Sequence, residues 1–197
     1  DNTKNMLTVF SKQYSNITIV NIKKNIGYGD GILQGLYKAS GKIIGWTHAD
    51  NQTHPNDFVR AINEFKNNNK LDFVKGRRYG RPITDKFFSK GMEIFETILL
   101  RTNFNEINAQ PNVFRKEFMN YWENPPLDFS LDLYVYFMAK KKGLMIKRIN
   151  VFFGPRLFGN SKWNTGILER LKFIKRTIKF SLKLRKYLNG NNFTQKK

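Results

Sequence analysis

Apolar residues recur along this chain in two rhythms. The β-branched run Ile17-Thr18-Ile19-Val20 and the run Lys42-Ile43-Ile44-Gly45-Trp46-Thr47 read as buried strands. Between them, residues 32–39 place Ile32, Leu36 and Ala39 on one helical face, and Gly41 suits a helix C-cap. Strand, helix and strand in this order predict a βαβ unit with parallel strands. Residues 55–67 predict a helix with Phe58, Ala61, Ile62 and Phe65 inward. Residues 72–76 read as a third strand, 77–85 as a basic loop, and 87–100 as a helix rich in Phe, Met, Ile and Leu. Residues 105–114 are polar and read as irregular. Residues 132–142 predict a helix closed by Gly143, and 145–149 with 151–153 predict strand pieces. A loop over 154–162, a long basic helix over 166–188 and a disordered tail over 189–197 complete the chain. This order predicts an α/β sandwich with a mostly parallel sheet, whose ligands sit at the carboxyl ends of the strands.

Composition narrows the function classes. The 197 residues suffice for one α/β domain, and 40% hydrophobic content argues for a folded core. The absence of cysteine excludes a disulfide framework and a cysteine-ligated zinc site. A net charge of +20 calls for an anionic partner: nucleic acid, an anionic membrane surface or a phosphate-bearing substrate. No stretch reaches the roughly 20 apolar residues that span a bilayer, and no signal peptide is visible.

Candidate chemistry gathers at a few places. Gly27-Tyr28-Gly29-Asp30-Gly31 fails the dinucleotide fingerprint because Ile32 holds the sixth position. It fails as a Walker loop because Ile43 follows Lys42. It reads as a tight strand-to-helix turn; the alternative is a turn that lets the backbone, at Gly29, approach a nucleotide. Asp50 follows a buried strand, with His48 two residues before it and Gln52 two after, so extended chain puts the three on one side. A carboxylate, an imidazole and an amide oxygen suit Mg²⁺ or Mn²⁺ with positions left for a diphosphate; the alternative is a plain turn or helix cap. Gly76-Arg77-Arg78-Tyr79-Gly80-Arg81 offers guanidinium forks to phosphate, as do Arg156 and Lys162, with Ser161, in the later loop; the alternative is solvated loops. Asp128 and Asp132 are acids in a basic half, and Asp132 reads either as a helix-start acid or as a general base. In the final helix Ile167, Leu171, Ile174 and Ile178 oppose many lysines and arginines. This suits an anionic membrane surface, or a helix packed on its own domain.

Taken together, these pieces resemble family 2 glycosyltransferases, above all the dolichol-phosphate mannose synthase-like branch. The matching elements are Asn25 to Gly31, Ala39-Ser40-Gly41, and His48-Ala49-Asp50-Asn51-Gln52-Thr53-His54-Pro55 against an Asp-Ala-Asp-x-Gln-x-x-Pro motif. Gly76-Arg77-Arg78-Tyr79 and Arg156-Leu157-Phe158-Gly159-Asn160-Ser161-Lys162 follow in the family's order. The resemblance implies a GT-A nucleotide-sugar fold over residues 1–162, followed by a basic amphipathic helix over 163–188. It implies metal ligation by Asp50 and Gln52, with His48 standing where the family has its first aspartate. It also implies phosphate contacts from Arg78, Arg156 and Lys162, to which the arginine cluster itself adds Arg81. The family's Asp-x-x-Ser-Gly-Phe segment appears as residues 108–114 and lacks the acid there. Asp1-Asn2-Thr3 resembles the tail of an Asp-Gly-Ser-x-Asp-x-Thr motif, which implies a chain that begins after the family's first strand.

The expected activity is inverting sugar transfer from a nucleotide sugar to a polyprenyl-phosphate or glycan acceptor, in cell-surface polysaccharide or glycolipid synthesis. The expected location is peripheral, on the cytoplasmic face of a membrane. Two rival classes are a basic nucleic-acid-binding protein, which the element order disfavours, and a catalytically inactive sugar-binding domain.

Overall fold

A computed structural model describes residues 2–155 and 167–189. The elements run α1 (Thr3–Gln13), α2 (Tyr28–Lys38), β1 (Ile43–Trp46), α3 (Asn56–Asn67), β2 (Phe73–Tyr79) and α4 (Ile83–Leu100). They continue with β3 (Asn112–Arg115), a 3₁₀ turn (Lys116–Tyr121), α5 (Leu131–Lys141), β4 (Ile146–Phe152) and α6 (Ile167–Asn189). The sheet order is β1-β3-β2-β4.

The sheet is mixed, where the sequence predicts a mostly parallel one. β2 and β4 pair in parallel, but β3 runs antiparallel to both β1 and β2. The difference comes from β3, which hides in the segment that reads as irregular. Its four residues start and end on polar side chains, Asn112 and Arg115, so no alternation announces it. The predicted strand at Ile17-Thr18-Ile19-Val20 is not one among the described residues: it joins no ladder, and a strand exists only as a pairing. β2 is longer than predicted. Arg77, Arg78 and Tyr79 pair with Asn150, Val151 and Phe152 of β4 and extend the strand into the expected basic loop.

Alternation along the strands divides the core into two layers. Phe73, Phe114, Ile44 and Trp46 face a large cluster with α2, α5, Leu100 and Leu184. Val74, Val113, Ile149 and Val151 face α3, where Ala61 and Phe65 are buried. α5 is sealed from Leu131 to Ala139, which fixes the strands around it. α4 and α6 pack together through a polar contact: Ser181 Oγ donates to Glu96 Oε1 at 2.6 Å, and both residues are fully buried. The inner stripe of α6 is Thr177, Ser181 and Leu184, while Lys172, Lys175, Lys179, Lys183 and Lys186 are exposed. α1 buries none of its residues.

The glycine segment is half helix rather than a free turn. α2 begins at Tyr28, and a side chain at Gly29 would run into the carbonyls of Pro126 and Asp128. The Asp30 amide donates to the Leu127 carbonyl at 3.0 Å. Gly29 is therefore required by its packing on the 126–128 backbone, a different reason from the donor contact the sequence suggests.

Candidate active site

β1 delivers the chain into the turn that carries Asp50, Asn51 and Gln52. Asn51 sits in the left-handed region at φ 60, a conformation Asn adopts more readily than most residues. The Asp50 carboxylate accepts the Gln52 amide at 3.3 Å, closing the turn. Gln52 is then fastened to the segment after β4. Its carbonyl accepts the Gly154 amide at 2.9 Å, and its Nε2 donates to the Gly154 carbonyl at 3.2 Å. His48 meets Phe153 edge-on, with ring centroids 5.6 Å apart. A cleft of about 440 Å³ opens here, lined by Gln52, Gly80, Arg81, Pro82, Phe153 and Gly154 among others.

The arginines arrive from the end of β2. Arg78 Nε donates to Glu106 Oε2 at 2.6 Å, and Arg81 Nη2 donates to Glu106 Oε1 at 2.5 Å. Arg81 also donates to Ser89 Oγ at 2.9 Å, and the Arg78 guanidinium lies 5.4 Å from the Phe153 ring centroid. Glu106 itself is held at φ 50 and its amide donates to Glu93 Oε1. Arg78, Arg81, Lys86, Lys90, Glu93 and Glu106 help line a second cleft of about 410 Å³. Arg81 borders both clefts.

Beneath this surface runs a buried polar chain. Lys75 Nζ donates to the Ala109 carbonyl at 3.0 Å and to Asn112 Oδ1 at 2.7 Å. Asn112 Nδ2 donates to Asp132 Oδ1 at 3.0 Å, and the Tyr28 hydroxyl donates to Asp132 Oδ2 at 2.9 Å. Gln110 donates to the Tyr28 oxygen, and Tyr28 stacks on Phe129 at 4.5 Å. Burial pushes the Lys75 ammonium down to about 7, against the pull of Asp132. Burial pushes the Asp132 carboxyl up, against Lys75 and its two hydrogen-bond donors. The Tyr28 phenol is driven well above its ordinary value by burial and then by the Asp132 charge.

The structure thus brings Gln52 and Arg81 into one cleft and Arg78 to its neighbour. It places Asp132 elsewhere than on an open wall. Asp132 is 2% exposed and both its oxygens accept hydrogen bonds, because α5 carries it into the core rather than to the helix surface. Arg156, Ser161 and Lys162 lie outside the described residues. Asp128 pairs with Arg176 at 3.3 Å and accepts the Ser130 amide. Sequence reasoning missed Lys75, Tyr28, Gln110, Asn112 and Glu106. A lysine inside a strand core was the available signal for Lys75. Among the described residues no group of three His, Cys, Asp or Glu side chains is placed to hold a metal. The donor set at Asp50, Gln52 and His48 fits a hard divalent cation only when a ligand supplies the remaining oxygens.

Comparison with known proteins agrees with this architecture. Residues 1–132 match Glycosyl transferase family 2. Over 81 residues the chain is 35% identical to a dolichyl-phosphate beta-glucosyltransferase of Trichomonas vaginalis, a match that covers 40% of this chain and 25% of the relative. The fold is that of glucosyl-3-phosphoglycerate synthase from Mycobacterium tuberculosis. Its complex with Mn²⁺, UDP-glucose and glycerol 3-phosphate superposes with a TM-score of 0.63 at 15% identity, over 94% of this chain and 65% of that one. The same enzyme with Mg²⁺ and UDP gives a TM-score of 0.60 at 15% identity, over 94% and 64%. The chain spans less than two thirds of either relative's length. Its mixed α/β sheet is a GT-A fold, and the chain belongs to glycosyl transferase family 2.

Proposed function

We propose that the chain carries the diphosphate-binding half of an inverting glycosyltransferase that moves a sugar from a nucleotide-sugar donor to a phosphate-bearing lipid or glycan acceptor. The observation that carries this reading is the cleft that Gln52 and Arg81 share. It joins the turn after β1 to the cation-bearing end of β2, at the strand ends where α/β sheets bind ligands. Asp50 and Gln52, with His48 beside them, are the residues that would hold Mg²⁺ or Mn²⁺. When bound, such an ion neutralises charge on the departing diphosphate. Arg78 and Arg81 supply the fixed positive charge, and Arg156, Ser161 and Lys162 are assigned to the same task by sequence alone.

In the reaction proposed, an acceptor oxygen forms a bond to the anomeric carbon from the face opposite the diphosphate. The bond from that carbon to the diphosphate oxygen breaks, and the nucleoside diphosphate leaves with the electron pair. A phosphate-monoester acceptor has a second pKa near ~6 and is already ionised at pH 7, so no proton need be removed. A sugar hydroxyl would need a base. Asp132 is too enclosed to serve directly, and its part is to hold Tyr28 and Asn112 in place. The dolichyl-phosphate relative supports a polyprenyl-phosphate acceptor. A peripheral place on an anionic, cytoplasmic membrane face is supported by the exposed lysines of α6. No described helix is long and apolar enough to cross a membrane.

The test is transfer of labelled glucose from UDP-glucose to polyprenyl phosphate by a chain extended to the length of its relatives. Metal-dependent formation of a lipid-phosphate glucoside is expected. Hydrolysis or transfer indifferent to the lipid phosphate would remove the acceptor assignment.

A further inference from the structure

Two arginines beside a cleft repel each other and, left alone, sample many rotamers. In this protein Glu106 removes both problems at once. One carboxylate takes Nε of Arg78 on one oxygen and Nη2 of Arg81 on the other. All three side chains are nearly enclosed, with 10%, 6% and 12% of Arg78, Arg81 and Glu106 exposed, so solvent screens the contacts little. The carboxylate is itself locked. Its backbone is in the left-handed region at φ 50, which is unfavourable for a glutamate. That conformation is secured by the Glu93 carboxylate, which accepts the Glu106 amide. A strained, over-determined residue at a cleft wall is the pattern of a positioning device.

The consequence reaches the turn after β1. Arg78 lies against Phe153, and Phe153 lies against His48. Arg81 borders the cleft that Gln52 also lines. We infer that Glu106 is a positioning residue that presets Arg78 and Arg81 as a paired receptor for the phosphates of a diphosphate ligand. This inference rests on the donor-site reading above. Glu106 acts through the two arginines that its carboxylate holds. Two hydrogen-bonded guanidiniums held in place before binding lose less rotamer freedom when an anion arrives.

The inference separates positioning from simple neutralisation, since the two predict opposite signs. If Glu106 only cancels charge, its removal leaves two uncompensated arginines and anion binding tightens. If it positions them, removal weakens binding despite the added positive charge. Calorimetric titration of the 197-residue chain with inorganic pyrophosphate and, separately, with UDP-glucose in Mn²⁺ measures this. Glu106→Gln keeps shape and loses the charge, and is expected to weaken pyrophosphate about tenfold. Glu106→Asp keeps the charge on a shorter arm, is the variant more secure in folding, and is expected to lie between. Thermal melts accompany each titration, and the affinity loss is expected at a melting temperature within a few degrees of the parent. Unchanged or tighter pyrophosphate binding in both variants, or a parent that binds neither ligand, overturns the inference. A parent that binds pyrophosphate but not UDP-glucose instead rejects the donor reading while leaving the Glu106 comparison intact.

Discussion

Lys75 and Asp132 are joined through the side-chain amide of Asn112, which accepts from the lysine at 2.7 Å and donates to the aspartate at 3.0 Å. The lysine comes from β2, the amide from β3 and the carboxylate from α5, so three elements meet on one polar thread inside an apolar core. A buried charge left without its partner costs about 3 kcal/mol or more, whereas removing both costs far less. Asp132→Asn should therefore destabilise the chain by about 3 kcal/mol in urea denaturation at pH 7, and Lys75→Met by a similar amount. The double variant should recover at least ~1 kcal/mol relative to the sum of the two. Strictly additive losses would show that the two charges do not depend on each other.

Glu96 predicts a dependence on pH. Burial raises its carboxyl from 4.5 to about 7, with the Ser181 hydrogen bond opposing the shift. The folded chain then holds the Glu96 proton more tightly than the unfolded chain does. The stability this gives is fully present below pH 4.5 and is lost as pH rises to about 7. Glu96→Gln removes the titration. Its stability relative to the parent should rise between pH 4.5 and 8 by on the order of 1 to 3 kcal/mol, read from denaturation at each pH. A parent-to-variant difference that stays flat with pH would show that Glu96 does not titrate in this range.

Gly76 tests the end of β2 that carries the arginines. An added Cβ would strike the Gln110 carbonyl and carbon, which are backbone atoms and cannot swing aside. Gly76→Ala should cost roughly 2 kcal/mol or more of stability and displace the Arg78 and Arg81 end of β2, weakening pyrophosphate binding alongside. A variant with parental stability and affinity would show that the backbone at Gln110, just before β3, yields at this point.

Much of this was legible along the chain, and the gaps have physical causes. The helix over 55–67 is legible because its apolar spacing is set by burial of one face against a sheet; the one over 132–142 is apolar nearly all round and is marked by the Gly143 stop. The turn at Asp50 and the arginines of 76–81 were visible because both are local in sequence. β3 was not, since four residues bounded by Asn112 and Arg115 carry no period. The predicted strand at residues 17–20 failed for the converse reason: β-branched residues favour extended chain, but pairing is decided by partners elsewhere. Glu106 and Lys75 lie outside every recognisable motif, because their roles come from contacts 25 to 37 residues away in sequence. In the sequence Asp132 stands out as an acid in a basic half, and only the fold shows that it faces inward.

The turn after β1 and the end of β2 are proposed here as one metal-dependent donor site. Isothermal titration of UDP-glucose into the chain, with and without Mn²⁺ and in the parent and Asp50→Ala, tests it most directly. Saturable binding that needs Mn²⁺ and falls at least about tenfold in Asp50→Ala, a loss of about 1.4 kcal/mol, is expected. Binding that is absent from the parent, or indifferent to both Mn²⁺ and Asp50, would contradict it.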